Sequence, residues 1–220
     1  MKYFIAGTDT GVGKTYVTIS LIKYFKSLGY VVKAIKPVET GCVKKGKDLY
    51  PEDAGKFSDL TKQPLNEVCL YRFEIPVAPY VASQIEKKNI EVNRIKDHVD
   101  RVYNDLVTSY GKEKTILLIE GAGGLMVPVT KDFMMIDFPK LLEAPVILVA
   151  RLGLGTINHT LLSLEALERR DIPVKGVILN NTLGLKTEAE LTNEQVLKEY
   201  LKVPILYTLE MNGEIKKKIL

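Results

Sequence analysis

The stretch Gly7-Thr8-Asp9-Thr10-Gly11-Val12-Gly13-Lys14-Thr15 decides how this chain is read. An apolar run, Tyr3 to Ala6, leads into it. Val17, Leu21, Phe25 and Leu28, spaced three or four apart, lead out of it as a helix, with Gly29 placed as a left-handed C-cap. A strand, a glycine-rich loop and a helix in that order aim successive backbone N–H groups at one spot, and the helix N-terminus adds its partial positive charge. The result is an anion-binding nest in which Lys14 reaches outer phosphates and Thr15 offers a hydroxyl to magnesium. The strict pattern wants glycine five residues before Gly13, where Thr8 stands; Gly7 lies one position earlier, so the loop is one residue longer. Read blandly, it is a turn with a solvated lysine, but that leaves the order of strand, loop, Lys-Thr and helix unexplained.

A dinucleotide reading of the same residues fails on two counts. A third small residue is wanted at position 16, where Tyr16 stands, and the next strand should end in an acid for a ribose but ends in Lys36. A nucleoside triphosphate fits better. Further strands are expected over Val31 to Ile35, Ile116 to Ile119, Val146 to Val149, Val174 to Leu179 and Ile205 to Tyr207. Helical patterns stand between them, notably Val92, Ile95, Val99, Val102 and Leu106, with shorter ones over Ile157 to Leu167 and Glu194 to Leu201. The alternation implies an α/β fold: a mostly parallel, doubly wound sheet flanked by helices, of P-loop NTPase type, with 1–220 forming one domain. Gly41 to Asn89, rich in lysine and proline, reads as loops and short elements over one rim.

In such sheets the ligand lies beyond the carboxyl ends of the strands, so the residues just after each run carry the chemistry. Pro37 keeps Lys36 out of helical geometry, and the Lys36-Pro37-Val38-Glu39-Thr40-Gly41 run hangs at a strand tip. The first two strands are expected to be neighbours, which places Lys36 beside Lys14 with both facing one reacting centre. Glu120 ends the Thr115 to Ile119 run and opens Gly121-Ala122-Gly123-Gly124, where P-loop proteins place a metal-directed carboxylate. Asp53 supplies a second oxygen to the same magnesium or is simply an acid at a helix start. Asn180 reads adenine through its amide or caps a turn.

Composition narrows the field. With 220 residues, 46% hydrophobic and 26% charged, the chain has a core to bury and is neither collagenous nor disordered. The 31 basic and 27 acidic residues are scattered, so no basic stripe announces nucleic acid. Cys42 and Cys69 form neither a C-x-x-C pair nor a zinc cluster, which points to a reducing cytoplasm, and no apolar run approaches membrane-spanning length.

Taken together, Gly7 to Thr15, Lys36-Pro37-Val38 with Thr40-Gly41, Asp53-Ala54, Glu120 to Gly124, Pro145 to Val149, Ile157-Asn158-His159 and Asn180 resemble the dethiobiotin synthetase family. The longer loop is itself a feature of that family, and residues 184–220 match it poorly. The family often has serine where Thr40 stands, which keeps a hydroxyl, and aspartate where Asn181 stands. The resemblance implies ATP, magnesium, carbon dioxide and 7,8-diaminononanoate as reactants in a homodimer. It gives Lys14, Lys36 and Thr10 catalytic work, and Thr15, Asp53 and Glu120 the metal. Nucleotide binding falls to Gly11, Val12, Gly13, Lys14, Thr15, Tyr16, Asp53, Glu120, Gly121, Ala122, Gly123, Asn180 and Asn181. The diamine falls to Thr40, Gly123, Gly155, Thr156, Ile157 and Asn158, with free N–H groups of the loop before a helix holding its carboxylate. Asn158 alternatively caps that helix.

The rival class is a dimeric ATPase switch of the chromosome-partitioning or septum-positioning type. Such switches carry a signature lysine where this chain has Asp9, and often a membrane-binding terminal helix.

Overall fold

The computed structural model describes residues 1–181, 184, 187–210 and 213–215. The first half of the chain runs β1 (Lys2–Gly7), α1 (Lys14–Ser27), β2 (Val31–Ile35), β3 (Val38–Thr40), β4 (Val43–Lys45), β5 (Asp48–Tyr50), α2 (Glu52–Thr61), α3 (Leu65–Val68), β6 (Tyr71–Phe73), α4 (Pro79–Ile85) and α5 (Val92–Tyr110). The second half runs β7 (Thr115–Glu120), β8 (Pro128–Thr130), β9 (Phe133–Met134), α6 (Phe138–Leu141), β10 (Val146–Arg151), α7 (Thr156–Glu168), β11 (Val174–Asn181), α8 (Glu188–Tyr200) and β12 (Ile205–Glu210).

Six strands form one sheet in the order β12-β11-β10-β1-β7-β2, every pairing parallel. Parallel strands return through helices on both faces, so both faces are buried, and β7 (TILLIE) is buried at all six positions. Successive side chains take opposite sides. Phe4, Leu117, Ile119 and Leu148 pack with Ile95, Val99 and Val102 of α5, while Ile5, Ile116, Leu118 and Ile147 pack with α1 and Phe57 of α2. A helix of α1's length is marginal alone. Full burial of Val17, Leu21, Ile22 and Phe25, at roughly 1.5–3 kcal/mol each, fixes it to the sheet.

Two expectations change, whereas Gly41 to Asn89 carries short elements as expected: a β4–β5 hairpin, β6 paired in parallel with β3, and helices of at most ten residues. The first two strands are not neighbours: β7 pairs with β1 on one side and β2 on the other. The last helix starts at Glu188, well before Glu194, because Thr187 and Glu190 close a capping box. Gly29, at φ 84°, ends α1 as its position implied. No helix among the described residues is long and apolar enough to cross a membrane.

Candidate active site

The carboxyl ends of β1, β7 and β2 converge on one crest, and the loop Thr8 to Gly13 arches over it into α1. Gly13 takes φ 88°, a left-handed conformation that favours glycine, and no side chain caps α1. The first N–H groups of that helix are thus left for a ligand. Gly7 is needed for space: a Cβ there would stand 2.8 Å from Lys14 Nζ and 2.9 Å from the Asp9 carbonyl. The glycine displaced by one position relative to the strict pattern is what lets the lysine fold back across the strand end.

Lys14 is buried, and its ammonium donates to the carbonyls of Gly123 (2.7 Å) and Asp9 (3.0 Å). Burial pushes its pKa down to about 8, with Glu120 opposing the shift. Glu120, fully buried at the end of β7, collects three donors: Thr15 Oγ1 at 2.8 Å, Thr18 Oγ1 at 2.6 Å and Lys36 Nζ at 3.0 Å. Lys36 also donates to Asp53 Oδ2 at 2.5 Å. Burial pushes the Lys36 pKa down, but Glu120, Asp53 and Glu39 more than reverse this, so the ammonium is held firmly charged. Burial opposes ionisation of Asp53 too, yet Lys36 keeps its carboxyl below the ordinary value.

Lys14 and Lys36 therefore do serve one crest, although not as side chains of adjacent strands. Glu120 on the intervening β7 supplies the negative charge that lets two ammonium groups share it. Asp53 sits in the first turn of α2, as its helix-start reading has it, and pairs with Lys36 beside Glu120. Thr18 and Glu39 escaped the sequence reading. Thr18 lies three residues beyond Thr15, on the face of α1 that meets β7; that spacing was the available signal. Glu39 gave none, because its partners come from α2.

On the other flank, Asn180 lies within β11, one residue before its end, beside the loop. Its Nδ2 donates to the Val12 carbonyl at 2.8 Å, while its buried Oδ1 has no hydrogen-bond partner among the described residues, so the side chain bridges to the loop instead of capping a turn. The Tyr16 hydroxyl donates to the Glu210 carbonyl at 3.2 Å, and Asn181 Nδ2 to Glu210 Oε2 at 2.9 Å. Thr10 lies at the inner side of the loop, since a Cβ on Gly123 would come within 3.4 Å of its Oγ1. Gly121, Ala122 and Gly123 follow Glu120 beneath the loop, and Thr40 ends β3 on the Lys36 side.

The loop before α7 departs from expectation in two ways. Gly155 is the N-cap and α7 starts at Thr156, so Asn158 lies inside the first turn and does not cap it. Thr156 donates its N–H to the Gly153 carbonyl at 3.1 Å and is lost to an anion site. Asn158 is exposed in the first turn of α7. A cavity of about 50 Å³ lies between this loop and Thr8, Asp9 and Thr10. A larger cleft, about 360 Å³, runs along Thr8, Gly124, Met126 and Leu162.

Magnesium and adenine both suit these residues. Two carboxylates and a hydroxyl are hard oxygen donors of the kind magnesium takes, and Thr15 can give its proton to Glu120 while its lone pairs face a cation. The orphaned Asn180 Oδ1 is an acceptor waiting for a donor, which an exocyclic amine of adenine provides.

A wholly parallel sheet with a phosphate-binding loop between β1 and α1 defines a P-loop ATPase, and the AAA domain family matches residues 1–218. A MinC:MinD cell division complex from Aquifex aeolicus shares the fold, with a TM-score of 0.52 at 16% identity over 97% of this chain and 86% of that one. The ATP-dependent dethiobiotin synthetase of Thermodesulfovibrio yellowstonii is 43% identical, covering 98% of this chain and 90% of that protein. That of Aquifex aeolicus is 37% identical, covering 98% and 94%. The chain belongs to the ATP-dependent dethiobiotin synthetase family, and is accordingly an ATP-using ligase.

Proposed function

We propose that residues 1–220 work as one ATPase-like domain that converts 7,8-diaminononanoate, CO2 and ATP into dethiobiotin, ADP and phosphate in the cytoplasm. The observation that carries the assignment of residues is the meeting of Lys14, Lys36, Thr15, Asp53 and Glu120 on one crest. A neutral amine of the substrate attacks CO2 and gives up a proton, forming a carbamate. The carbamate oxygen takes the γ-phosphoryl group from ATP, releasing ADP. The second amine then attacks the activated carbonyl carbon, closing the cyclic urea as the C–O bond to phosphate breaks.

No protein nucleophile is required. The chain's work is to align three reactants and to meet developing negative charge with fixed positive charge. Lys14, released from its two carbonyls, faces the outer phosphates. Lys36, kept charged by Glu120 and Asp53, faces the carbamate and the transferred phosphoryl group, and nearby ammonium groups favour the neutral, nucleophilic form of the diamine. Thr10 stands over the same centre from the loop. Thr15, Asp53 and Glu120 hold Mg2+, which supplies charge to the ATP phosphates. Asn180, with Tyr16 and Asn181 near it, holds the base. Phosphate release from Mg-ATP is expected to require the diamine and bicarbonate together. Rapid turnover without the diamine, responding to DNA or lipid, would sink this reading in favour of a switch.

The diamine site is completed by a second copy of the chain. About 50 Å³ is too little for a nine-carbon substrate. Leu154 is 88% exposed beside that cavity, and Met126 and Leu162 are more than half exposed along the larger cleft. An apolar rim around a phosphate site is what a partner would cover. Thr40 and Gly123 would then meet the diamine from one chain, with Asn158, Ile157 and the Gly155 N–H holding its carboxylate from the other. Asn158→Ala should raise KM for the diamine and leave KM for ATP alone, as for binding lost far from the reacting centre. Mixed with inactive Lys14→Ala chains, it should regain one intact site per heterodimer; a monomer by sedimentation, or no regain, rejects the shared site.

A further inference from the structure

Glu39 is a buried carboxylate with no part in the reaction as described. It lies in β3, 5% exposed, and both its oxygens are committed. Oε1 accepts the N–H of Asp53 and Oε2 the N–H of Ala54, each at 2.9 Å. Both donors belong to the first turn of α2, where no intrahelical acceptor exists. The residue at the N-cap of α2 is Pro51, whose side chain cannot accept, and no local side chain caps the helix. Glu39 supplies from another element what this helix start lacks, and its charge meets the positive end of the helix.

The same turn presents the Asp53 carboxylate to Lys36 at 2.5 Å. Lys36 and Glu39 are joined only by Pro37 and Val38, so one short segment fixes the lysine on one side and the backbone that carries its partner on the other. Releasing the two N–H groups would leave the Asp53 carboxylate attached to an uncapped, fraying turn. Keeping a carboxylate dry is costly, and burial pushes the Glu39 pKa up against the pull of Lys36 and the two N–H groups.

We propose that Glu39 is a positioning residue: by clamping the N–H groups of Asp53 and Ala54 it holds the first turn of α2 so that Asp53 meets the magnesium of Mg-ATP in one orientation. This rests on Asp53 being a metal ligand. Glu39→Gln keeps the shape but turns an NH2 group toward one of the two donors.

The experiment measures ATP affinity by titration calorimetry across a magnesium series for wild type, Glu39→Gln, Asp53→Asn and the double variant, with amide exchange followed at positions 53 and 54. Glu39→Gln is expected to raise the magnesium midpoint by about tenfold, the range for lost support of a metal ligand. Magnesium-free ATP affinity should not move, and exchange at 53 and 54 should quicken. The double variant should have the midpoint of Asp53→Asn alone. A wild-type midpoint in Glu39→Gln, or effects that multiply in the double variant, overturns the proposal while leaving Asp53 as a ligand. A wild-type midpoint in Asp53→Asn overturns both. Should Glu39→Gln melt below the assay temperature, Glu39→Asp, which keeps the charge and shortens the reach, is expected to show the same shift; a wild-type midpoint there overturns the clamp.

Discussion

Lys36→Ala and Lys14→Ala each lower turnover by about two orders of magnitude or more, the loss that follows removal of a preorganised charge from a transition state. That corresponds to about 2.7 kcal/mol of barrier. The two should differ in binding. Lys14 curls over the loop and has only carbonyls to leave, so its loss weakens ATP binding as well as turnover. Lys36 is tied to Asp53 and Glu120 on the far side of β7, so Lys36→Ala should leave ATP binding largely intact. Folding should survive, because Glu120 keeps the hydroxyls of Thr15 and Thr18 and Asp53 is partly exposed. Steady-state kinetics beside nucleotide titration and a melting curve separate these effects. Near-normal turnover in the Lys36 variant would remove that residue from the mechanism.

Glu120→Gln should lose activity at ordinary magnesium concentrations and need more metal to regain part of it, with Asp53→Asn milder in the same direction. Each exchanges an anionic oxygen for a neutral one around a hard cation. Glu120 is the graver loss because it is fully buried and accepts from three groups at once. An amide keeps one acceptor oxygen and turns its NH2 toward groups that are themselves donors. Removing one partner of a buried ion pair costs roughly 3–5 kcal/mol, which Lys36 partly avoids by keeping Asp53, so the melting temperature should fall without loss of the fold. Magnesium dependence of phosphate release and thermal melting are the measurements. An Asp53 variant with unchanged magnesium dependence would return that residue to the simple role of a helix-start acid.

Much of the site could be read from local pattern. The loop from Gly7 to Thr15 is contiguous, and its glycines, lysine and threonine act through backbone geometry that is local by nature. The strand runs were legible because parallel strands buried on both faces read as unbroken apolar stretches, as TILLIE does. Helix α1 was legible from its spacing and from Gly29. The start of α8 was missed because its first turn, Glu188 to Leu191, buries no residue and so shows no apolar face, leaving the capping box at Thr187 as the signal.

Strand order is a different matter. Nothing within Val31 to Ile35 or Thr115 to Glu120 says which of them lies against β1, since both are short apolar runs compatible with either place. The crossover connections and the packing of α1 and α5 on opposite faces put β7 in the middle, and with it Glu120 between the ammonium groups of Lys14 and Lys36. A buried carboxylate in that position turns two mutually repelling lysines into a workable pair. Asp53 and Glu39, 14 positions apart, meet through a helix start that carries no side-chain cap of its own. The chain's local chemistry chose the phosphate loop, the strands and the lysines, because each depends on neighbours a few residues away. Which groups meet Glu120 depended on residues about a hundred positions apart, and only the assembled sheet brings those together.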